Sequence, residues 1–172
     1  LQDIVYAIKI LKKFRIHIHG MFVYGFDEDD WKTVKETVRF AKRVRLNTTQ
    51  FLILTPFPGS EFYRKISGEN RIQFSDWNLY DAHHVVFKPA RFSLQDLQKA
   101  QIFSHEKFYS LYESLKKGIR GGWQEVGIAS YARQLNRSWK KNNRQFLKVI
   151  ELLTPGKKAK ISIDYRENIL LE

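Results

Sequence analysis

Cysteine is absent from this 172-residue chain. Its own side chains therefore cannot form a disulfide, act as a thiol nucleophile, complete a cysteine-ligated zinc site or hold an iron–sulfur cluster. Long apolar runs are missing as well. The longest, Met21 to Phe26, falls far short of the ~20 residues that a membrane-spanning helix needs. No secretory leader is recognisable, so the cytoplasm is the expected compartment. Walker A, G-x-G-x-x-G, G-x-S-x-G and H-E-x-x-H patterns are lacking, which removes common nucleotide, hydrolase and zinc-protease signatures. What remains is 43% apolar and 15% aromatic, enough for the core of one domain or a little more. The formal charge of +12 is unevenly spread: from Lys116 onward, 13 Lys and Arg face 5 Asp and Glu. Such an excess attracts phosphates or an anionic membrane surface, and is equally at home in water.

The chain opens at Leu1 inside a helical pattern and closes on Leu171-Glu172, so it is expected to be a segment of a longer protein. Leu1, Ile4, Val5, Ile8 and Leu11 recur at helical spacing over residues 1–13. Phe14 to Phe26 then reads as a parallel strand covered on both faces. Asp29 or Asp30 is the expected N-cap of a helix that puts Trp31, Val34, Val38 and Ala41 on one side. Thr49 to Leu54 forms a second strand, ended by Pro56, Pro58 and Gly59, with a short helix from near Ser60. Helix–strand–helix–strand order indicates βαβ units with parallel strands, and two strands are too few for a stable sheet. The fold class is therefore α/β: a slice of a partial (β/α) barrel over 1–66, followed by a mainly helical C-terminal region.

Residues 67–118 carry an aromatic-rich ordered loop, with a short strand at His84–Phe87, and then one long helix. Ser93 caps that helix, Leu97, Ala100, Phe108, Leu111, Tyr112 and Leu115 mark it, and Lys116-Lys117-Gly118 are its expected stop. After Gly121-Gly122, residues 119–172 read as a basic helical cap and tail, one last helix ending at Thr154-Pro155-Gly156. The tail ISIDY is left either as a short strand or loose.

Two strand-end turns, MFVYGFDEDD and TPFPGS, share one rim, where parallel α/β folds build their sites. Either is also explained as a tight turn with a cap. His17 and His19 share a strand face at i, i+2 spacing, but no third metal ligand is near, and a hydrogen-bonded strand histidine is the simpler reading. His83 and His84 are candidate substrate-side acid–base groups, because imidazole titrates near neutrality; both serve as well to satisfy loop backbone. Arg133, Arg137, Lys140, Lys141, Arg144 and Lys148 form one basic stripe opposite Leu135, Trp139, Phe146 and Val149. A solvated outer face accounts for it more simply than a binding stripe.

Several separate segments together carry a resemblance: HGMFVYGFDEDDWKTVKETVRFAKRV, FLILTPFPGSEFY, NRIQFSDWNLYDAHHVVFKPARFSLQDL and KFYS. Over roughly residues 1–115 the chain resembles the C-terminal half of radical SAM proteins with a B12-binding N-terminal domain, a group that includes relatives of the hopanoid methylases. The resemblance implies a parent that binds a [4Fe–4S] cluster and S-adenosylmethionine in a partial (β/α)6 barrel and cleaves the sulfonium reductively to a 5′-deoxyadenosyl radical. It makes the two strands the fifth and sixth of that barrel. The fifth-strand motif falls on Val23, Gly25 and Glu28, with Asp29 as the alternative acid, while Met21 replaces the motif's preceding glycine. Sixth-strand residues Leu54, Thr55 and Pro56 would line the same pocket.

The C-x-x-x-C-x-x-C cluster loop and the B12-binding D-x-H-x-x-G pattern are not in this stretch. The cluster needs its three cysteines, so this segment alone is expected to be inactive, with no cofactor or metal of its own. Cobalamin use is inherited from the resemblance alone. Expected partners are a small-molecule or lipid-like substrate of the parent, the rest of the same chain, and a second copy through an exposed edge on the Ile16–Tyr24 strand. A peripheral membrane contact suits the basic helix, whereas no nucleic-acid signature accompanies it. The rival reading is a non-catalytic basic module that binds nucleic acid or an anionic membrane through its last helix.

Overall fold

The structure is a computed structural model that describes residues 2–121 and 123–154. Helix α1 (Gln2–Lys13) leads into strand β1 (His19–Tyr24), helix α2 (Trp31–Arg43), strand β2 (Thr48–Ile53) and helix α3 (Glu61–Gly68). A 3-10 turn at Trp77–Leu79 follows, then α4 (Leu94–Phe108), α5 (Leu111–Gly121), α6 (Trp123–Asn142) and α7 (Arg144–Leu153). The strands pair in parallel, His19 opposite Thr48 through Tyr24 opposite Ile53, as the βαβ order requires. The expected strand at His84–Phe87 is reduced to a single antiparallel bridge, Ile72 to Phe87. The segment ISIDY lies outside the described residues. Among the described residues no helix is long and apolar enough to cross a membrane.

This register puts Phe22 and Tyr24 on the same face as Thr49, Phe51 and Ile53. Phe51, Tyr24 and Ile53 are buried there beneath α2 and α4, with Val34, Val38 and Ala41 of α2 completing the core. Phe51 stacks on Phe22 at 5.5 Å and meets Phe108 edge-on at 6.3 Å. The opposite face carries Met21, 62% exposed, and Val23, 39% exposed. The expectation of a strand covered on both sides is thus corrected: only one side finds cover among the described residues, because both large helices pack on it.

The outer edge of β2 is closed by side chains of α4 instead of a third strand. The Thr49 N–H donates to the Tyr109 hydroxyl, which donates in turn to the Thr49 carbonyl, both at 2.8 Å. One helical turn earlier the Phe51 N–H donates to His105 Nε2 (3.3 Å), and Gln101 Nε2 donates to the Phe51 carbonyl (3.2 Å). The Ile53 N–H reaches the Ala82 carbonyl at 2.8 Å. The spacing works because four helical residues rise ~6 Å, close to the ~6.6 Å spanned by two strand residues. Buried strand groups that would otherwise be orphaned are satisfied in this way.

Three expected helix boundaries move. The helix expected to be continuous from Ser93 breaks at Tyr109–Ser110, since Ser110 starts a new helix: its hydroxyl accepts from the Glu113 N–H (3.4 Å), while Ser114 donates to its carbonyl (2.8 Å). Leu111, Tyr112 and Leu115, expected to mark the same continuous helix as Phe108, are exposed as a result. Lys116-Lys117-Gly118 does not stop α5, which runs on to Gly121. Gly118 instead leaves room for Val126 of α6 to lie against the α5 backbone. The last helix divides at Asn143, whose side chain makes no cap hydrogen bond because its amide is engaged elsewhere.

Candidate functional site

The rim at the C-terminal ends of β1 and β2 gathers most of the residues that the sequence nominates. Gly25 sits at φ +114°, a conformation that side-chain-bearing residues rarely adopt. A Cβ there would lie 3.2 Å from Leu97 Cδ2 and 3.4 Å from both Leu54 Cβ and Phe87 Cζ, so tight packing also demands glycine. Asp29, buried behind the turn, accepts from the Gly25 N–H (2.9 Å) and the Phe26 N–H (3.1 Å) through Oδ2. It therefore braces the loop, and the helix N-cap is Asp30, which accepts from the Thr33 N–H at 2.9 Å. Hydrogen bonding to that N–H holds the Asp30 carboxyl below the usual carboxylate range.

Leu54 is tied to β1 by its N–H to the Tyr24 carbonyl (2.8 Å). Thr55 is buried with its hydroxyl turned back to the Ile53 carbonyl (3.0 Å), and Pro56 is buried beside it. Val23, Gly25, Leu54, Thr55 and Pro56 thus share one rim, with exposed Phe26 and Phe57 on its two turns. Glu28 lies apart, its side chain 86% exposed and paired with Arg91 at 3.1 Å. Asp27 pairs with Arg71 (2.8 Å) and Lys65 (2.9 Å), and those two hydrogen bonds hold its carboxyl low.

The two adjacent histidines part company. His84 is buried, with Nδ1 between both Asp81 oxygens (2.9 and 3.0 Å) and Nε2 at 2.8 Å from Asn143 Oδ1. Its ring packs on Trp139 and Phe146. Burial opposes its charge, but the bonds to Asp81 and Asn143 prevail and raise its pKa. His84 is a tether between loop and helical cap.

His83 turns the other way, toward Gln50 on the bare sheet face (3.4 Å), and lines a cavity of about 520 Å³. His19, Gln101, His105 and Trp139 also border that cavity, and none of its thirteen lining residues is Asp, Glu, Lys or Arg. Burial lowers His105 to about 4, so it is neutral and can accept the Phe51 N–H.

The sequence reading missed this cavity, although one signal was present. Gln101, His105 and Tyr109 recur every fourth residue, a row of hydrogen-bonding side chains along one side of the helix. His17 does not join His19: it lies 3.8 Å from Glu125, whereas His19 bonds Thr48 Oγ1 at 2.7 Å. Among the described residues no group of three or more His, Asp or Glu could hold a metal.

The basic stripe is also not one surface. Its residues fall on two helices, Arg133 donates to the Tyr109 carbonyl (3.2 Å) and Ser114 (2.6 Å), and Lys140 pairs with Glu106 at 2.8 Å.

No protein-family model matches the chain. The chain is 31% identical over 118 residues to bacteriochlorophyllide d C-12(1)-methyltransferase of Chlorobaculum tepidum, covering 69% of this chain and 24% of that protein. It is 30% identical over 118 residues to an uncharacterized methyltransferase of Pyrococcus horikoshii, covering 69% and 26%. To bacteriochlorophyllide d C-8(2)-methyltransferase of Chlorobaculum tepidum it is 29% identical over 112 residues, covering 65% and 25%. The chain spans about a quarter of the length of the curated relatives it matches. Similarity to these methyltransferases is consistent with the radical SAM family and does not single out the hopanoid methylases within it.

Proposed function

We propose that the chain is the C-terminal part of a radical SAM methyltransferase, in the B12-binding group that includes relatives of the hopanoid methylases. Residues 1–66 would then be the fifth and sixth barrel strands with their helices, residues 67–118 the aromatic-rich segment and helix, and residues 119–172 the basic helical cap and tail. The observation that carries this reading is the parallel pair whose helix-free face leaves Met21 and Val23 exposed. A barrel interior is such a face, lined by alternate strand residues.

The residues present suit one wall of an S-adenosylmethionine site. Val23, Leu54 and Pro56 offer apolar surface, and Gly25 exposes backbone at the rim where parallel folds bind ligands. Asp29 would act as a positioning residue by holding the Gly25–Phe26 turn, and Thr55 by fixing the end of β2. Glu28 stands at the outer margin. Nothing here suits the [4Fe–4S] cluster, which needs cysteines from elsewhere in the parent. When bound together, S-adenosylmethionine and the cluster supply the radical chemistry. Cobalamin would belong to the N-terminal domain.

The neutral cavity beside His83, Gln50 and Trp139 would take the substrate side, with hydrogen-bonding groups and no fixed charge to repel an apolar or lipid-like molecule. His83 faces that cavity as a hydrogen-bonding group, 3.4 Å from Gln50.

Determining the coding sequence upstream of Leu1 tests the proposal. The expected result is a C-x-x-x-C-x-x-C motif within the preceding few hundred residues. A start codon just before Leu1, with no such motif, overturns it and leaves the basic module as the better account.

A further inference from the structure

At the opposite end of the sheet, the Leu46–Asn47 turn into β2, α5 and α6 enclose a recess of about 400 Å³. Five cationic side chains line it: Lys42, Arg43, Arg45, Lys116 and Lys117. Only two carboxylates share the lining, and both are already engaged. Glu113 pairs with Lys42 at 3.4 Å. Glu125, 6% exposed, accepts from Asn47 Nδ2 at 2.8 Å and lies 3.8 Å from His17. Among the described residues, no carboxylate pairs with Arg43, Arg45, Lys116 or Lys117. Lys117 is half-buried, donates to the Asn47 carbonyl at 2.8 Å and sits 3.9 Å above the Phe108 ring. An ammonium has three donors, so two remain. Lys12 of α1 crowds the same turn from behind, donating to the Val44 and Arg45 carbonyls at 2.6 Å each.

We infer that this recess is a binding site for a phosphate monoester, its phosphate held by Lys117 and the flanking Arg and Lys side chains and its organic part filling the rest of the recess along their aliphatic stems. Concave low-dielectric walls focus the potential of uncompensated cations on the space between them. Arg forks and Lys ammonium groups suit phosphate oxygens, and the volume exceeds what a bare phosphate fills while falling within the ~300–1,000 Å³ of small-molecule sites. Lys117 supports this independently. Burial lowers its pKa to about 8 against the opposing pull of Glu125 and Glu113, with Lys12 and Lys42 reinforcing the drop. A dianion would supply the missing counter-charge, so binding should take up protons and weaken as pH rises through 8. The recess lies a six-residue strand, ~20 Å, from the rim described above and does not depend on the function proposed there.

Titration calorimetry of the 172-residue chain with phenyl phosphate, and separately with inorganic phosphate, tests the site. Saturable binding is expected, tighter for phenyl phosphate. Lys117→Met should weaken it about tenfold or more. Lys116→Gln provides a second weakening variant if Lys117→Met fails to fold. Glu113→Gln should tighten binding several-fold by freeing Lys42, while Glu61→Gln, an equal charge change on exposed α3, should leave it unchanged.

Vesicles containing phosphatidic acid form the second arm. Capture that Lys117→Met or Lys116→Gln abolishes, without saturable binding of the soluble esters, assigns the phosphate to a lipid headgroup. Absence of binding in both arms overturns the inference. So does an equal response to Glu113→Gln and Glu61→Gln, which would mark a general charge effect.

Discussion

Replacing His84 with phenylalanine should destabilise the fold by an amount that depends on pH. The new ring keeps the contacts with Trp139 and Phe146 but loses the Nδ1 bonds to Asp81 and the Nε2 bond to Asn143. A hydrogen bond to a charged partner contributes ~1.5–3 kcal/mol when buried. The Asp81 side chain is 40% exposed, so water replaces part of that bond and ~1 kcal/mol is the reasonable share. The bond to Asn143 adds ~1 kcal/mol, for a total near ~2 kcal/mol. At ~2–4 °C per kcal/mol for a chain of this size, Tm should fall by ~4–8 °C.

The protonation state follows from the partners. Asn143 Nδ2 donates to the Trp139 carbonyl at 2.9 Å, which turns Oδ1 toward His84. Nε2 must then donate, and Nδ1 must donate to the carboxylate, so the ring is an imidazolium. Its folded pKa is raised above 6.5, so this stabilisation is fully present below 6.5 and is lost as pH rises through the folded value. Asp81, whose carboxyl is held low despite partial burial, loses its contribution only when pH drops below the usual carboxylate range. Urea unfolding followed by tryptophan fluorescence across a pH series from 6 upward should give a wild-type-minus-variant difference of ~2 kcal/mol at the low end that shrinks toward ~1 kcal/mol once pH has passed the folded value. A difference that stays flat or grows with pH would refute the imidazolium clamp.

Two further substitutions probe the sheet. Gly25→Ala should cost ~1–3 kcal/mol by forcing a side chain into a left-handed backbone pressed against Leu97, Leu54 and Phe87; thermal melts check it, and an unchanged Tm would show that the turn can relax. Tyr109→Phe should cost ~2 kcal/mol by orphaning the buried N–H and carbonyl of Thr49. Faster hydrogen exchange of the Thr49 amide distinguishes that loss from a general loosening.

Features read correctly from the sequence are those decided within a few residues. Ser93 caps α4 as expected and α3 starts where expected, beside Ser60, because each hydroxyl meets an N–H three positions on. TPFPG ends β2 by its own backbone restrictions, and the parallel pairing follows from the order of elements. Misread features are settled by which partners the fold brings together, near or far in sequence. Asn143 breaks the last helix because its amide meets His84, 59 residues away. Gly118 reads as a stop until Val126 is brought against it. Asp29 and Asp30 are interchangeable as caps by local rules, and only the conformation of Gly25 decides that Asp29 faces inward. The cavity beside His83 was least legible, since its walls come from β2, the loop, α4 and α6 at once.

The two edges of the sheet are treated oppositely, and the difference bears on what the chain can join. The Ile18 and Tyr24 carbonyls face β2, so by alternation the backbone groups of His19, Met21 and Val23 point outward. Among the described residues nothing covers that edge, whereas Tyr109, His105, Gln101 and the Ala82 carbonyl occupy the outer groups of β2. A further strand can therefore add beside β1 but not beside β2. On the proposed reading of a parallel barrel wound in chain order, the strand next to β1 would be the one that precedes it in sequence, so the rest of the same chain would fit that edge better than a second copy. On the proposed reading α4 also explains why such a barrel stays partial. Its side chains hold the groups that closure would need, and the gap so created is where His83 and its neutral cavity lie.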